Sequence, residues 1–467
     1  MKWVRCYGVG VQSPSESLAQ WTASKRSLPL GLLAGLVTAA LVVVYVVGAH
    51  HHIHTVNTEI LKADQGSYVY YARQMNETQY GYVGGRNQMP VMPFLVSLID
   101  RHGDSTDELF VRGKYLNVAL SLLVLAGVGW LARRTLPAFE TGVMITIVAF
   151  TVFVYRSGYV QAELLFYGLF FLAFVLALWW QGDPRPKRAA LCGVVLGVAY
   201  LTKASVLPLL AAVCFFAGVS ALQRFRSGGA WLRPLAGACI LVALFLATVF
   251  PYIKTSHDRF GQWFYNVNTT FYMWADSWDE VKEVMSGTGD REHWPDLSPE
   301  LLPSAKRYFA EHTLLEAAGR IAKGMWVSEL RHLIYMPFGY GKYLIFYTLV
   351  AVAVAIRARE AFAEACLREG RWVRTAFVLC VVGGYVVAYA FYSPIVRGPR
   401  LVLALYLPAM FSLFWFLSRD AIARTPVWVQ GRFELGLFHV HLAALVVLAF
   451  DLVVRFPSVI VTDFAGA

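Results

Sequence analysis

The feature that most constrains this chain is a series of long apolar runs. The first, "SLPLGLLAGLVTAALVVVYVVG", carries no acid and no base. A hydrocarbon core of about 30 Å needs roughly 20 apolar helical residues to cross it. Backbone groups in lipid must satisfy their own hydrogen bonds, so runs of this kind are read as helices. They occur at about 27–49, 112–131, 138–154, 163–180, 188–202, 204–222, 232–252, 341–356, 374–392, 400–418 and 435–455. The expected fold is an all-α polytopic membrane protein with about eleven transmembrane helices. The first run is too long for a signal-peptide core and reads as a retained helix. The stretch 188–222 is broken by "LTKAS" and reads as a tight hairpin, because roughly 35 residues exceed one tilted span. Composition agrees: 57% of residues are hydrophobic and 15% charged, against about a quarter charged in soluble domains.

Basic residues orient the spans, because short cytoplasmic loops collect Lys and Arg. With a cytoplasmic N-terminus, about half of the 41 Lys and Arg fall in inside segments, among them Lys25, Arg26, Arg133, Arg134, Arg188, Arg226, Arg371, Arg374 and Arg419. The short outside turns and the tail hold only Arg156, Lys203, Arg397, Arg400 and Arg455. This divides the chain into a cytoplasmic segment 1–26, an N-terminal transmembrane catalytic module 27–252 that includes a first outer loop 50–111, an extracytoplasmic loop or cap 253–340, and a C-terminal transmembrane module 341–467. The expected location is the cytoplasmic (inner) membrane, with the site on the extracytoplasmic side. The net charge of +11 is largely this topological signal. Membrane lipids supply the counter-charge, and no nucleic-acid partner is needed. Cys192, Cys214, Cys239 and Cys380 fall in spans, and Cys6 and Cys366 in cytoplasmic segments, so no disulfide framework is expected.

Polar residues from distant parts of the chain gather near the outer interface. Asp64 follows the first span in "ADQGSYVYYARQM", and Arg86 precedes "NQMPVMPFLVSL". Glu163 opens a span in "VQAELLF", Lys203 ends one in "GVAYLTK", and Arg397 and Arg400 stand in "RGPRLVLALYLPAM". Ionisable groups at membrane depth are costly and mark functional sites by default. Each also has a structural reading: Asp64 as a solvated loop acid, Glu163 as a helix-start acid or a partner of Arg156, Lys203 as a helix-end cation, and the two arginines as headgroup anchors. Residues 65–80 and 89–101 suit interfacial helices. The aromatic stretch "FGQWFYNVNTTFYMWADSW" opens the cap, in which Ser298–Pro299 and Thr313 with Glu316 are helix-start signals.

These motifs, in this order, resemble those of the membrane-embedded GT-C glycosyltransferases, especially the branch of the protein O-mannosyltransferases and the lipid A aminoarabinose transferase. That family often has two adjacent acids where this chain has Asp64 followed by Gln65. The resemblance implies a transferase whose donor is a polyprenyl-phosphate-linked sugar. Chemistry then suggests roles. Asp64 is the expected general base toward an acceptor hydroxyl, and Glu163 orients the acceptor or a cation. Lys203, Arg400, Arg397 and Arg86 bind the leaving phosphate. Tyr68, Tyr71, Trp263 and Tyr265 line the sugar or acceptor site. The acceptor is open: a lipid, a glycan or a protein. No cofactor is required by the sequence. The cluster His50, His51, His52 and His54 is the one place for a divalent metal, without a second cluster to complete the site. Two other functions stay open: an envelope oligosaccharide polymerase or ligase, and a non-enzymatic lipid-linked-sugar transporter. The transporter predicts polar residues at the bilayer midplane, where here only His439, His441 and Asp451 break the apolar pattern.

Overall fold

The computed structural model describes residues 14–82, 84–288, 294, 297–298, 300–331, 333, 339–368, 371–396, 402–431 and 433–461. The chain forms two compact units, Met1–Gly48 and Ala49–Ala467. Helix α1 (Pro14–Thr55) begins in the first of these, and all later elements belong to the second. Two short helices follow, α2 (Gln65–Glu77) and α3 (Val91–Ser97). Then come α4 (Thr106–Ala132), α5 (Ala138–Ser157), α6 (Glu163–Gly182), α7 (Pro186–Thr202), α8 (Ala204–Arg226) and α9 (Leu232–Phe260). The cap contributes α10 (Trp278–Thr288), α11 (Ala305–Glu311) and α12 (Leu314–Gly324). The C-terminal part holds α13 (Tyr340–Arg357), α14 (Trp372–Tyr392) and α15 (Val402–Leu417), a hairpin of β1 (Trp428–Gln430) and β2 (Phe433–Leu435), and α16 (Leu437–Val459).

This is a helical, multi-span membrane protein. Among the described residues nine helices are long and apolar enough to cross a membrane: α1 over Leu32–Thr55, α4, α5, α6, α8, α9, α13, α14 and α16. The count of eleven is therefore not reproduced. The other two expected spans are shorter helices. The 17 residues of α7 reach about 25 Å at 1.5 Å per residue, and α15 is shorter still. Helix α9 continues to Phe260, past the end of its apolar run at 252.

Local chemistry explains several boundaries. Ser105 starts α4 with a capping box: its hydroxyl accepts from Glu108 N, and the Glu108 carboxylate accepts from Ser105 N. Thr313 and Glu316 do the same for α12, where those bonds hold the Glu316 carboxyl below its usual range. Helix α11 is capped by Ser304, whose hydroxyl accepts from Arg307 N, rather than starting at Ser298; Pro299 lies outside the described residues. The helix of 17 residues survives beside longer neighbours because α7 and α9 touch backbone to backbone. A Cβ on Gly193 would lie 2.3 Å from the Leu241 carbonyl oxygen, and one on Gly197 would lie 2.6 Å from Thr248 Cβ. Small residues four apart allow this approach, which gains dispersion contacts where the hydrophobic effect is weak.

The aromatic stretch after α9 builds the cap's own core. Phe260, Tyr265, Phe271, Tyr272 and Trp294 pack with Val281 and with Ile395 from the turn after α14. Arg320 of α12 fastens this unit. Its Nε donates to Phe391 O at 2.7 Å, and its Nη2 donates to Met273 O at 3.0 Å and Ala275 O at 2.9 Å.

Candidate active site

Two cavities meet at one end of the helix bundle, and Asp64 lines both. The first, of about 380 Å³, is mostly apolar and is walled by Tyr68, Lys203, Asn268, Tyr385, Tyr389 and Val396 among others. The second, of about 420 Å³, is walled by Gly66, Ser67, Tyr70, Tyr71, Tyr82 and Gly84. Asn87 and Gln88 also line both. The volumes fall in the range of small-molecule sites, roughly 300–1,000 Å³.

The position of Asp64 is set by an unusual turn. Ala63 and Asp64 both lie in the left-handed region, with φ of 56° and 64°. A non-glycine residue there costs on the order of 1–3 kcal/mol, and such strain persists only where the surroundings impose it. Asp64 occupies the N-cap position of α2 without using its side chain as the cap. The surroundings that impose the turn are buried amides. Gln65 is fully buried. Its Nε2 donates to Asn57 Oδ1 at 2.8 Å and to Lys62 O at 3.1 Å. Its Oε1 accepts from Asn57 Nδ2 at 2.9 Å and from Val160 N at 2.9 Å. Asn57 Nδ2 also donates to Gly158 O at 2.6 Å, and buried Lys114 donates to Asn57 O at 2.8 Å. Gln161 Nε2 donates to Ala63 O, directly behind the acid. Asn57, Lys114 and Gln161 were not singled out from the sequence, and Gln65 was noted only as standing where a second acid is common. The available signal was polar residues set beside apolar runs, such as Lys114 and Asn117 in "KYLNVAL".

Glu163 and Lys203 form an ion pair at 3.1 Å. The Glu163 side chain is only 2% exposed and that of Lys203 23%, so the carboxylate is the buried member and the ammonium is the one that lines the cavity. Lys203 sits in an extended break between α7 and α8 (φ −159°, ψ 124°). Across the cavity, Tyr385 Oη donates to Ser205 O at 2.7 Å and fixes the wall after this break.

The other expected site residues divide. Tyr68 lines the first cavity and Tyr71 the second. Burial first, then neighbouring Tyr252, pushes the Tyr71 phenol up, which keeps it neutral. Arg86 lines neither. It is buried, with its guanidinium 3.7 Å from the centre of the Tyr252 ring and bonded to Thr255 Oγ1 at 2.7 Å. Its backbone, at φ 61°, carries the carbonyl that accepts from Asn266 Nδ2 at 3.1 Å. Arg86 therefore ties the 84–89 loop to α9 and to the cap. Tyr265 lies in the cap core, stacked on Phe260 at 4.5 Å. Trp263 is exposed and stacks on His257 at 4.5 Å. Neither lines either of these two cavities. Arg397 and Arg400 lie outside the described residues.

The histidine cluster diverges. His50 and His54 both meet the Tyr115 hydroxyl, at 2.7 and 2.9 Å, while His52 is buried against the Tyr159 ring. Among the described residues no group of three or more His, Cys, Asp or Glu converges on a metal-sized site. Beside Asp64, the place of a second acid is taken by Gln65, whose amide is fully engaged by its neighbours.

No family model and no curated protein matches the chain. Two solved structures are similar to it. The archaeal oligosaccharyltransferase AglB from Archaeoglobus fulgidus, in complex with an inhibitory peptide and a dolichol-phosphate, aligns over 91% of this chain at 14% identity and a TM-score of 0.45. This chain spans only 56% of that protein. ArnT from Cupriavidus metallidurans, bound to undecaprenyl phosphate, aligns over 84% of this chain and 78% of its own at 17% identity and a TM-score of 0.39.

Proposed function

We propose that this chain is a glycosyltransferase that moves a sugar from a polyprenyl-phosphate donor to an acceptor hydroxyl at the outer face of the membrane. The observation that carries the reading is that Asp64 lines both cavities while Lys203 lines the apolar one. A mostly apolar chamber bearing the Lys203 cation suits the end of a lipid phosphate, and a second chamber bearing tyrosines and small polar groups suits a hydroxylated acceptor. An acid at their junction is where a proton has to leave.

In this mechanism the acceptor oxygen attacks the anomeric carbon from the face opposite the phosphate. The new C–O bond forms as the bond from that carbon to the phosphate oxygen breaks, so the centre inverts. The acceptor proton passes to the Asp64 carboxylate. The electron pair of the broken bond stays on the polyprenyl phosphate, whose increased negative charge is met by Lys203. Glu163 holds the Lys203 ammonium in place. Arg397 and Arg400 join this proposal from the sequence, a short distance along the chain from Val396 of the cavity wall.

Two measurements test the reading. Mass spectrometry of the protein purified with native lipids should detect a bound polyprenyl phosphate or its sugar derivative. Asp64→Asn should then keep donor binding and lose transfer by about 10²–10⁴-fold, the usual contribution of a positioned base. Undiminished transfer by this variant overturns the assignment of the base. Transfer of whole glycan chains, with none from a monosaccharide-phosphate lipid, would favour the polymerase or ligase.

A further inference from the structure

A third cavity, of about 650 Å³, lies at the other end of the bundle. It is lined by Trp130, Arg134, Trp179, Asp183, Arg188 and Arg374. Helix α6 gives the separation: Glu163 begins it at the active-site end, and Gly182 ends it in this cavity's wall. At 1.5 Å per residue that is nearly 30 Å, the thickness of a hydrocarbon core. The two cavities therefore belong to opposite faces of the membrane.

The wall carries more positive charge than its own acids can offset. Asp183 is the one acid among these residues, and it is already paired with Arg188 at 3.3 Å and with Arg185 at 2.6 Å. Arg188 Nη1 also donates to Trp179 O at 3.0 Å. Arg374 is half-buried, packed against Gly182, where a Cβ would lie 3.2 Å from its Nη1. Its buried Nε has no hydrogen-bond partner among the described residues. A second layer adds to the excess. The Arg419 guanidinium lies 4.4 Å from the centre of the Trp415 ring, with that of Arg374 5.9 Å from the same ring. Burial, then the like charges of Arg371 and Arg374, lower the Arg419 pKa from its ordinary value. Mutual repulsion among arginines held at a built wall is relieved by an anion from outside.

The surroundings select the kind of anion. Trp130 is 62% exposed on the flank of α4, and Arg134 stacks over it at 4.5 Å. Indole rings at helix ends sit at headgroup depth, and arginine forks match phosphate oxygens in pairs.

We propose that this cavity is a binding site for the phosphodiester headgroup of an anionic phospholipid, held by Arg134, Arg188 and Arg374 with its acyl chains along α4 beside Trp130. The site is independent of the transfer chemistry and stands even if the proposed function fails.

The test is native mass spectrometry of the full chain released from mixed phosphatidylglycerol and phosphatidylcholine nanodiscs. The wild type should retain phosphatidylglycerol in preference to phosphatidylcholine. An arginine near a headgroup is worth about a factor of five, so R134Q/R374Q should lose that preference by about 25-fold. R226Q removes the same kind of charge from an exposed residue that does not line the cavity and should leave the preference intact. An equal loss in R226Q, or no preference in the wild type, overturns the proposal. Displacement of the lipid by millimolar inorganic phosphate would make this a free-anion site and overturn the lipid assignment. If R134Q/R374Q fails to fold, R134Q alone carries the test, with an expected loss of about fivefold.

Discussion

Replacing Gln65 with Glu tests how the turn bearing Asp64 is held. The amide of Gln65 donates two hydrogen bonds, to Asn57 Oδ1 and Lys62 O, from a fully buried position. A carboxylate there donates none and turns an oxygen toward two acceptors. Two lost bonds cost about 1 kcal/mol each, and the buried acceptors left facing a charge add about 1–3 kcal/mol. Gln65→Glu should therefore destabilise the protein by about 3–5 kcal/mol. It should also lower turnover, because Gln65 adjoins the left-handed pair Ala63–Asp64. The sign with pH is fixed. Burial raises the introduced carboxyl's pKa in the folded state, so the folded state binds more protons than the unfolded one as pH falls. The deficit should be largest at pH 8 and shrink toward pH 5. Thermal unfolding in detergent, followed by tryptophan fluorescence at both pH values beside the wild type, reads this out. A variant that melts and turns over like the wild type at pH 8 would refute the clamp.

Lys203→Met should weaken donor binding and cost about 3 kcal/mol by taking the partner cation from buried Glu163; K203M/E163Q should recover stability without recovering donor binding, as donor titration of both variants would show. Gly193→Ala should reduce the yield of monodisperse protein on size-exclusion chromatography, because its Cβ meets the Leu241 carbonyl, whereas Gly218→Ala in α8 meets nothing and should be tolerated. Asp104, whose carboxyl the Arg112 side chain holds below the usual range, contributes stability above its unfolded pKa and loses it as pH falls through the folded one. The stability difference between D104N and the wild type, measured by melting, should therefore close in acid; a difference that persists would remove the ion pair as its cause.

Much of the architecture was legible because lipid imposes it. Apolar length marks spans without needing any tertiary contact, and the topology brought Asp64, Glu163 and Lys203 to one end of the bundle. Span length was harder to read for α7, where Gly193 and Gly197 make a helix of 17 residues viable. The machinery around Asp64 was not legible. Amides such as Asn57 and Gln65 have no periodic signature, and nothing about Ala63 announces a left-handed backbone. Composition also failed to separate lining from core: Tyr68 faces a cavity while Tyr265 in a richer aromatic stretch packs inside the cap. Arg86 gave a charge near the site, but the Tyr252 ring and Thr255 take its guanidinium.

The glycine seam between α7 and α9 has a mechanical consequence. Helices whose main chains pack this closely cannot slide past each other without collision, so this pair moves as one strut. Lys203 tips one member, and the other runs directly into the cap at Phe260. The ammonium and the start of the cap therefore share a rigid frame. A bulky guest has to enter by displacing another wall: the Tyr385–Tyr392 segment of α14, Tyr68 of α2 and the 87–89 segment line the same cavity and belong to neither helix of that strut.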